Sequence, residues 1–302
     1  MKISDNPNLF AGNALNRASD ERCNAGWIAE KLDDPDSVMI PLWRGDPLVA
    51  DDAAAWLTTA ARSEFASSAE TVFLGLDGAR AHFAIDASAA ADADAAPFAD
   101  IGAYLPLRKA ADILAQKDVA IIGHARWLLD WHRRHRHCAV CGEMTIVADG
   151  GAKRVCVICK AEHFPRSDPV AIVVATHGDA CLLGRGPHFP PGALSALAGF
   201  VEAAETPEEC AARELREEAG VRLTDIRYQF SQPWPFPSSL MMGFLADAAD
   251  RDLNLDMREI VEARWLERPE IISLLNGDKH EDFFLPPRFT IARRLIECWA
   301  RG

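Results

Sequence analysis

The chain has 302 residues, of which 49% are hydrophobic and 25% charged, with a formal net charge of −13. That length is too great for one small core and predicts two or three domains of ordinary soluble, globular composition. The acid excess speaks against a general nucleic-acid binder, since such affinity depends on neutralising phosphates, and no apolar run reaches the length of a membrane span.

Residues 1–10 hold no apolar core of a signal peptide, and the final tripeptide Ala300-Arg301-Gly302 is not a peroxisomal address, so a cytoplasmic location is expected. Residues 1–123 read as an α/β leading domain. Strand candidates are 42–43, 72–76 and 82–85, with a hairpin turn at Asp77-Gly78. The Ala/Asp-rich stretch 87–96 is either a loop or a solvated helix. Residues 118–132 read as a helix, with Ile121, Ile122, Ala125, Leu128 and Leu129 as its apolar side. The basic stretch 131–137 reads as a solvated helix end, with a polyphosphate or an RNA end as the alternative partner.

Next come Cys138-x-x-Cys141 and Cys156-x-x-Cys159, separated by fourteen residues. Two such knuckles fit four thiolates around a structural Zn²⁺, with hairpin turns at Gly142 and Gly150-Gly151. A thioredoxin-like redox pair needs one motif in a βαβ setting, and independent buried cysteines are the other alternative. Cys23, Cys181, Cys210 and Cys298 show no pattern and are expected to be reduced thiols.

After His163-Phe164-Pro165-Arg166-Ser167-Asp168-Pro169, an apolar strand at 170–175 and a glycine-rich loop at 184–192 lead to the most informative segment. Here Gly199, Glu205, Arg213-Glu214-Leu215, Glu217-Glu218 and Gly220-Val221 surround a short helix. Thr206 is its expected N-cap, Pro207 its first residue, Glu209 the partner in a capping box and Gly220 its terminator. Glu214 and Glu218 are four apart, so they share a face with Glu217 beside them. Like charges at that spacing repel unless something positive lies between them. Hard divalent cations prefer carboxylate oxygens. The plain alternative is a solvated acidic helix.

Downstream, Ser231-Gln232-Pro233-Trp234-Pro235-Phe236-Pro237-Ser238-Ser239 alternates prolines with aromatics. It reads as a stiff extended segment outside a normal strand ladder, able to present ring faces; the plain alternative is a proline-rich loop that packs its own aromatics on the core. Strands near 227–230 and 241–246 and a closing helix at 287–299 complete the chain.

The spacing from Gly199 to Val221 resembles the Nudix box of Nudix hydrolases. The paired knuckles and Ser231-Gln232-Pro233-Trp234-Pro235-Phe236-Pro237 resemble the NADH pyrophosphatases within that family. Residues 9–17 and Pro41-Leu42-Trp43-Arg44 also look like that family's leading domain. The fold so implied is α+β: a Nudix αβα sandwich (168–302), a linker helix and zinc ribbon (124–167) and an α/β N-terminal domain (1–123).

The resemblance implies Mg²⁺ or Mn²⁺ held by Glu214, Glu217, Glu218 and the backbone carbonyl of Ala198. Glu217 would alternatively help to activate water, and Arg213 would orient the glutamates. Glu259 stands where the family places a further metal-binding glutamate, with Glu262 as its rival. By the same resemblance Arg108, Phe164, Gln232, Pro233, Trp234, Pro235, Phe236, Pro237, Ser238, Ser239 and Ala292 would contact the dinucleotide.

The implied reaction is hydrolysis of the NADH or NAD⁺ pyrophosphate to AMP and nicotinamide mononucleotide, by a homodimer. The alternatives are removal of NAD caps from RNA 5′ ends and a zinc-ribbon module that senses nucleotide without cleaving it.

Overall fold

The computed structural model describes residues 8–302; of the stretch read for a leader, residues 1–7 lie outside the described residues. The chain forms two compact units, residues 1–166 with 234–238, and residues 167–233 with 239–302.

In the first unit, helix α1 (Ala25–Asp33) precedes strands β1 (Val38–Trp43), β2 (Asp46–Ala50), β3 (Ala53–Ala54) and β4 (Leu57–Thr58). Strands β5 (Thr71–Asp77), β6 (Arg80–Asp86) and β7 (Ala103–Tyr104) follow, then helices α2 (Leu107–Ala110) and α3 (Gln116–Arg134). The sheet runs β3-β2-β1-β6-β5, with β4 on β1 and β7 on β2. Strands β1 and β6 are parallel, in the register Ile40↔Ala84.

Both faces of this sheet are covered, so apolar residues fill both sides of the pleat. Ile40, Leu42, Val72, Leu74 and Ala84 join the core made with α3 through Val119, Ile122, Ala125 and Leu129. Met39, Phe73, Phe83 and Ile85 face the other way, where Trp27, Ile28 and Leu32 of α1 pack. The expected hairpin turns at Asp77-Gly78, where Gly78 has φ +59°. Residues 87–96 form a loop anchored by the Trp43 indole donating to the Ala90 carbonyl at 3.1 Å.

Helix α3 ends in solvent at Arg133 and Arg134, as the basic composition of 131–137 suggested, but Trp131 and His132 just before them are buried. The small ribbon that follows is an antiparallel sheet, β10-β9-β8, made of β8 (Thr145–Ala148), β9 (Lys153–Cys156) and β10 (Glu162–His163).

The second unit contains β11 (Asp168–His177), β12 (Ala180–Arg185), β13 (Leu197–Phe200), α4 (Pro207–Ala219), β14 (Leu223–Trp234) and β15 (Ser239–Ala248). Strand β16 (Glu262–Glu267) and helices α5 (Arg268–Asn276) and α6 (Ile291–Arg301) complete it. The order is β14-β15-β11-β12-β16, with β13 on β11. Alternation again sorts the layers. Ile172, Val174, Cys181 and Leu183 pack with α5 and α6. Ala171, Val173, Ala175 and Leu182 pack with Cys210, Ala211 and Leu215 of α4. The result is the expected αβα sandwich.

Three boundaries differ from expectation. Strand β14 continues through Pro233 to Trp234 and β15 begins at Ser239, so only 235–238 leave the ladder. Because β14 is an edge strand, a proline without an N–H is tolerated there. Helix α6 begins after Thr290, whose hydroxyl accepts from Arg293 N, and not at Pro287. Gly184 lies inside β12 and not in the glycine-rich loop.

Candidate active site

Helix α4 is built as its residues dictate. Thr206 accepts from Glu209 N at 3.2 Å, the Glu209 carboxylate accepts from Thr206 N at 2.8 Å, and Gly220 ends the helix at φ +76°. Its face meets β13, where Gly199 leaves room for a carboxylate: a Cβ on Gly199 would lie 1.8 Å from Glu214 Cδ.

Arg213 organises the acidic group. Its Nε and Nη2 donate to Glu205 at 2.7 and 2.9 Å, and its Nη1 donates to Glu214 at 2.7 Å and Glu217 at 3.1 Å. Nη2 also donates to the Phe200 carbonyl at 3.0 Å, which ties α4 to β13. The Arg213 contact holds the Glu205 carboxyl down to about 2.

Glu218 has no such partner. It is 7% exposed, and its Oε2 is buried without a hydrogen-bond donor among the described residues. Burial, then the charges of Glu214, Glu259 and Glu217, push its carboxyl up to about 8. Burial likewise raises Glu214, against the opposing effect of Arg213. A buried carboxylate oxygen without a donor, close to three further acids, is a site short of positive charge. Its all-oxygen donor set suits a hard divalent cation.

Glu259 and its rival Glu262 part here. Glu262 is paired with Arg185 at 3.3 Å and Arg264 at 2.7 Å. Glu259 contributes to the field on both Glu214 and Glu218. Ala198 sits on β13 in register with Ile172.

The four ribbon cysteines converge, with all four sulfurs within 4.8 Å of one another. Cys138 and Cys159 are 3.6 Å apart, Cys141 and Cys156 3.5 Å, and Cys141 and Cys159 3.4 Å. A disulfide requires about 2.05 Å, whereas four sulfurs each about 2.3 Å from a Zn²⁺ would stand roughly 3.8 Å apart. Burial opposes ionisation of Cys138, but the backbone N–H groups of Cys141 and Val140 and the His163 ring outweigh it and bring the thiol down to about 6. His163 Nε2 lies 3.2 Å from that sulfur.

The residues expected at the dinucleotide divide between the units. In the first unit, the Arg108 guanidinium lies over the rings of Phe236 at 4.6 Å and Trp234 at 5.5 Å. Phe10 meets both rings edge-on, at 5.7 and 6.0 Å. Pro235 offers its carbonyl to Arg126 Nε at 2.9 Å, Pro237 follows a cis peptide bond, and Ser238 is buried. Phe164, just after β10, is 62% exposed.

In the second unit, Gln232 is fully buried. Its Nε2 donates to the Phe289 carbonyl and its Oε1 accepts from Ile291 N, both at 2.8 Å. Gln232 therefore fixes the start of α6 and presents no side-chain surface. Ala292, on that helix, is buried as well, as is Ser239, while Pro233 is half-buried.

Comparison with known proteins agrees with this geometry. The family model for the NUDIX domain matches residues 165–286, that for the NADH pyrophosphatase-like rudimentary NUDIX domain matches 36–131, and that for the NADH pyrophosphatase zinc ribbon matches 133–164. The NAD-capped RNA hydrolase NudC of Mycobacterium bovis is 40% identical over 240 residues, 76% of this chain and 75% of that protein. The chain belongs to the Nudix hydrolase family. Within it, the chain carries the NADH pyrophosphatase-like domain and the zinc ribbon.

This Nudix chain is 42% identical over 198 residues to the NAD-capped RNA hydrolase NUDT12 of Macaca fascicularis. That match takes in 62% of this chain but spans only 43% of the longer relative. A solved NUDIX hydrolase from Nitrosomonas europaea aligns over 50% of the chain and 97% of its own length, with 24% identity and a TM-score of 0.40.

Two contacts of this Nudix protein escaped the sequence reading. Arg126 holds the Pro235 carbonyl and lies 4.9 Å from the Phe236 ring. A lone arginine on the polar side of a helix carries no local signal for that. Glu205 is a fixed position of the box, but its bidentate grip on Arg213 needs the fold to appear.

Proposed function

We propose that this protein hydrolyses the pyrophosphate of NADH or NAD⁺, yielding AMP and reduced or oxidised nicotinamide mononucleotide. The single observation that carries the reading is Glu218: a buried carboxylate oxygen with no donor among the described residues, within an acidic group that Arg213 offsets in part.

In this reading Glu214, Glu217, Glu218, Glu259 and the carbonyl of Ala198 hold Mg²⁺ or Mn²⁺. Such a cation, when bound, neutralises pyrophosphate charge and lowers the pKa of a coordinated water. Arg213 fixes the rotamers of Glu214 and Glu217 through its two Nη1 contacts, so those carboxylates need not reorganise. Glu217, more exposed than Glu205, Glu214 or Glu218, is open to water from which it would accept a proton. Arg108, Trp234 and Phe236 supply a cationic and aromatic surface suited to a nucleotide ring. Phe164, Gln232, Pro233, Pro235, Pro237, Ser238, Ser239 and Ala292 complete the proposed substrate set, the buried members by shaping the backbone around it.

We further propose that Cys138, Cys141, Cys156 and Cys159 hold a structural Zn²⁺, that the protein acts as a cytoplasmic homodimer, and that 1–123, 124–167 and 168–302 are its functional divisions. Among the described residues no helix is long and apolar enough to cross a membrane. The similarity to the NAD-capped RNA hydrolases NudC and NUDT12 supports a second substrate with the same bond, the NAD cap of RNA.

One assay tests both. Purified protein with Mg²⁺ or Mn²⁺ is given NADH, NAD⁺, NADPH, ADP-ribose and NAD-capped RNA at equal concentration, and products are identified. AMP from NADH supports the main reading. Binding of NADH without AMP would leave a nucleotide sensor instead.

A further inference from the structure

The turn that leads out of β12 holds one aromatic ring in the open. It reads Gly186-Pro187-His188-Phe189-Pro190-Pro191-Gly192. Proline fixes its own φ and confines the residue before it to extended backbone, so three prolines leave this turn little freedom. Phe189 N donates to the Gly186 carbonyl, and Ala193 N to the Pro190 carbonyl, both at 3.1 Å.

Both ends of the turn are anchored. Arg185 Nη1 donates to the Phe189 carbonyl at 3.3 Å while its Nε holds Glu262. At the far end the Gly192 carbonyl accepts from Phe284 N at 2.8 Å. Gly192 has φ +80°, and a Cβ there would lie 2.6 Å from the Asp282 carbonyl oxygen. Between these anchors Phe189 is 57% exposed, and among the described residues no aromatic ring or cation packs against it.

The neighbour of this ring is the acid proposed as a further metal ligand. The point where Gly186 would carry a Cβ is 3.3 Å from the Glu259 carbonyl oxygen and 3.7 Å from Phe189 Cδ2, so the ring lies beside the Glu259 backbone. Glu259 N donates to the Asp256 carbonyl, and Asp256 N to the Glu218 carbonyl, both at 3.0 Å, which ties this stretch to the end of α4. Met257, within it, is exposed as well. A single exposed apolar side chain is ordinary on a protein surface, but two beside an acidic group are not scattered singly.

A dinucleotide joins a charged pyrophosphate to flat rings. With the pyrophosphate at the acids, a stiffly held phenyl ring close by offers its face to one of those rings. Because the turn is ordered beforehand, little conformational freedom is lost on stacking.

We propose that Phe189 is a substrate-contacting residue, whose ring stacks on the adenine or the nicotinamide of the dinucleotide. It stands outside the substrate set named above. The inference rests on the reading of the glutamates as the metal site of a dinucleotide hydrolase.

A stack made equally in the ground and transition states lowers KM without raising kcat. Steady-state kinetics of the full chain at saturating Mg²⁺, with NADH and with ADP-ribose, test this. Phe189→Ala should raise KM for NADH about tenfold, as for one lost base–aromatic stack, with kcat within twofold. Phe189→Tyr should keep KM within threefold of wild type, and His188→Ala on the same turn should move neither constant more than twofold. The Mg²⁺ concentration for half-maximal activity should stay within twofold in Phe189→Ala, which separates loss of the ring from displacement of Glu259. A rise in KM for NADH alone assigns the nicotinamide, which ADP-ribose lacks, and an equal rise for both assigns the adenine. An unchanged KM in Phe189→Ala, a rise that tyrosine does not rescue or that His188→Ala equals, or a metal requirement that rises with it, overturns the inference. If the wild type cleaves neither compound, the hydrolase reading fails by itself. Binding of NADH, followed by its own fluorescence, then decides: a tenfold weakening in Phe189→Ala sustains the contact, and unchanged or undetectable binding overturns it.

Discussion

Gly199 and Glu214 share one small volume: a side chain on the first would overlap the carboxyl of the second, 1.8 Å from Cδ. Strand β13 thus admits the acid only because that position carries no Cβ. Gly199→Ala should force Glu214 off its Arg213 contact. We expect kcat/KM for NADH to fall by about 100-fold or more, consistent with roughly 3 kcal/mol of lost transition-state stabilisation. Stability should fall by only about 1–3 kcal/mol, as for other overpacked sites. Steady-state kinetics beside circular dichroism melts check this. A variant with wild-type turnover would remove Glu214 from the proposed machinery.

Glu218 makes the metal-free protein sensitive to base. Its folded carboxyl is raised to about 8 from an ordinary 4.5, so the folded state holds a proton that the unfolded chain releases. That contribution is complete below about pH 4.5 and is lost as pH rises through about 8, at roughly 1.4 kcal/mol per pH unit crossed. Without divalent cation, the melting temperature of wild type should therefore drop between pH 5 and 8 more than that of Glu218→Gln. Added Mg²⁺ or Mn²⁺ should narrow the gap for wild type alone. Parallel melting curves for the two proteins, with and without cation, give the comparison.

The box helix was legible before the fold because every device in it is local: Thr206, Pro207, Glu209 and Gly220 act within one or two turns. The four cysteines were legible for a similar reason, since ligand spacing reflects the geometry of a short knuckle. The segment 231–239 was misread because edge position is not local. Pro233 stays in a ladder only because β14 has a free side, and that depends on strand order. Burial of His132 was likewise invisible, because its partners Gly151 and Arg154 in the ribbon lie 19 and 22 residues away in sequence.

The ribbon sulfurs stand at spacings suited to a shared ion and too wide for a disulfide. One zinc per chain is expected by elemental analysis. Stripping it, or replacing Cys156 by Ser, should unfold the ribbon and lower the melting temperature by several degrees, because metal binding and folding are coupled in such modules. Turnover at saturating Mg²⁺ should fall far less than in Glu218→Gln. A stoichiometric preparation without zinc and with unchanged stability would count against this.

Glu259 and Glu262 lie close in sequence but sit in different electrostatic company. Glu262 is neutralised by Arg185 and Arg264, whereas Glu259 adds negative charge to the field at Glu218. Glu259→Gln should raise the Mg²⁺ or Mn²⁺ concentration needed for half-maximal activity by roughly tenfold, as for one lost oxygen ligand. Glu262→Gln should shift it less than twofold. Metal titrations of both variants decide the matter, and the reverse order would transfer the role to Glu262.

Arg154 ties the ribbon to what precedes it by donating to Glu70 at 3.0 Å and to His132 Nδ1 at 3.1 Å, and braces β8 through Thr145 Oγ1 and Thr145 O, both at 2.8 Å. His132 donates from Nε2 to the Gly151 carbonyl at 2.8 Å, so its Nδ1 must be the unprotonated acceptor from Arg154. Burial chiefly holds the ring down to about 4, with the Arg154 charge adding to the effect. Below its ordinary 6.5 the unfolded chain takes up a proton that the folded ring refuses. The stabilising contribution is therefore whole above about pH 6.5 and is lost as pH falls through about 4. A His132→Gln variant, which keeps a donor for Gly151 but does not titrate, should lose less stability between pH 6.5 and 4 than wild type. Arg154→Met, by contrast, should cost about 3–5 kcal/mol at neutral pH, because it leaves Glu70 and Thr145 without their partner. Denaturant melts at several pH values separate the two effects, and identical acid profiles for wild type and His132→Gln would show that this ring titrates normally in the folded protein.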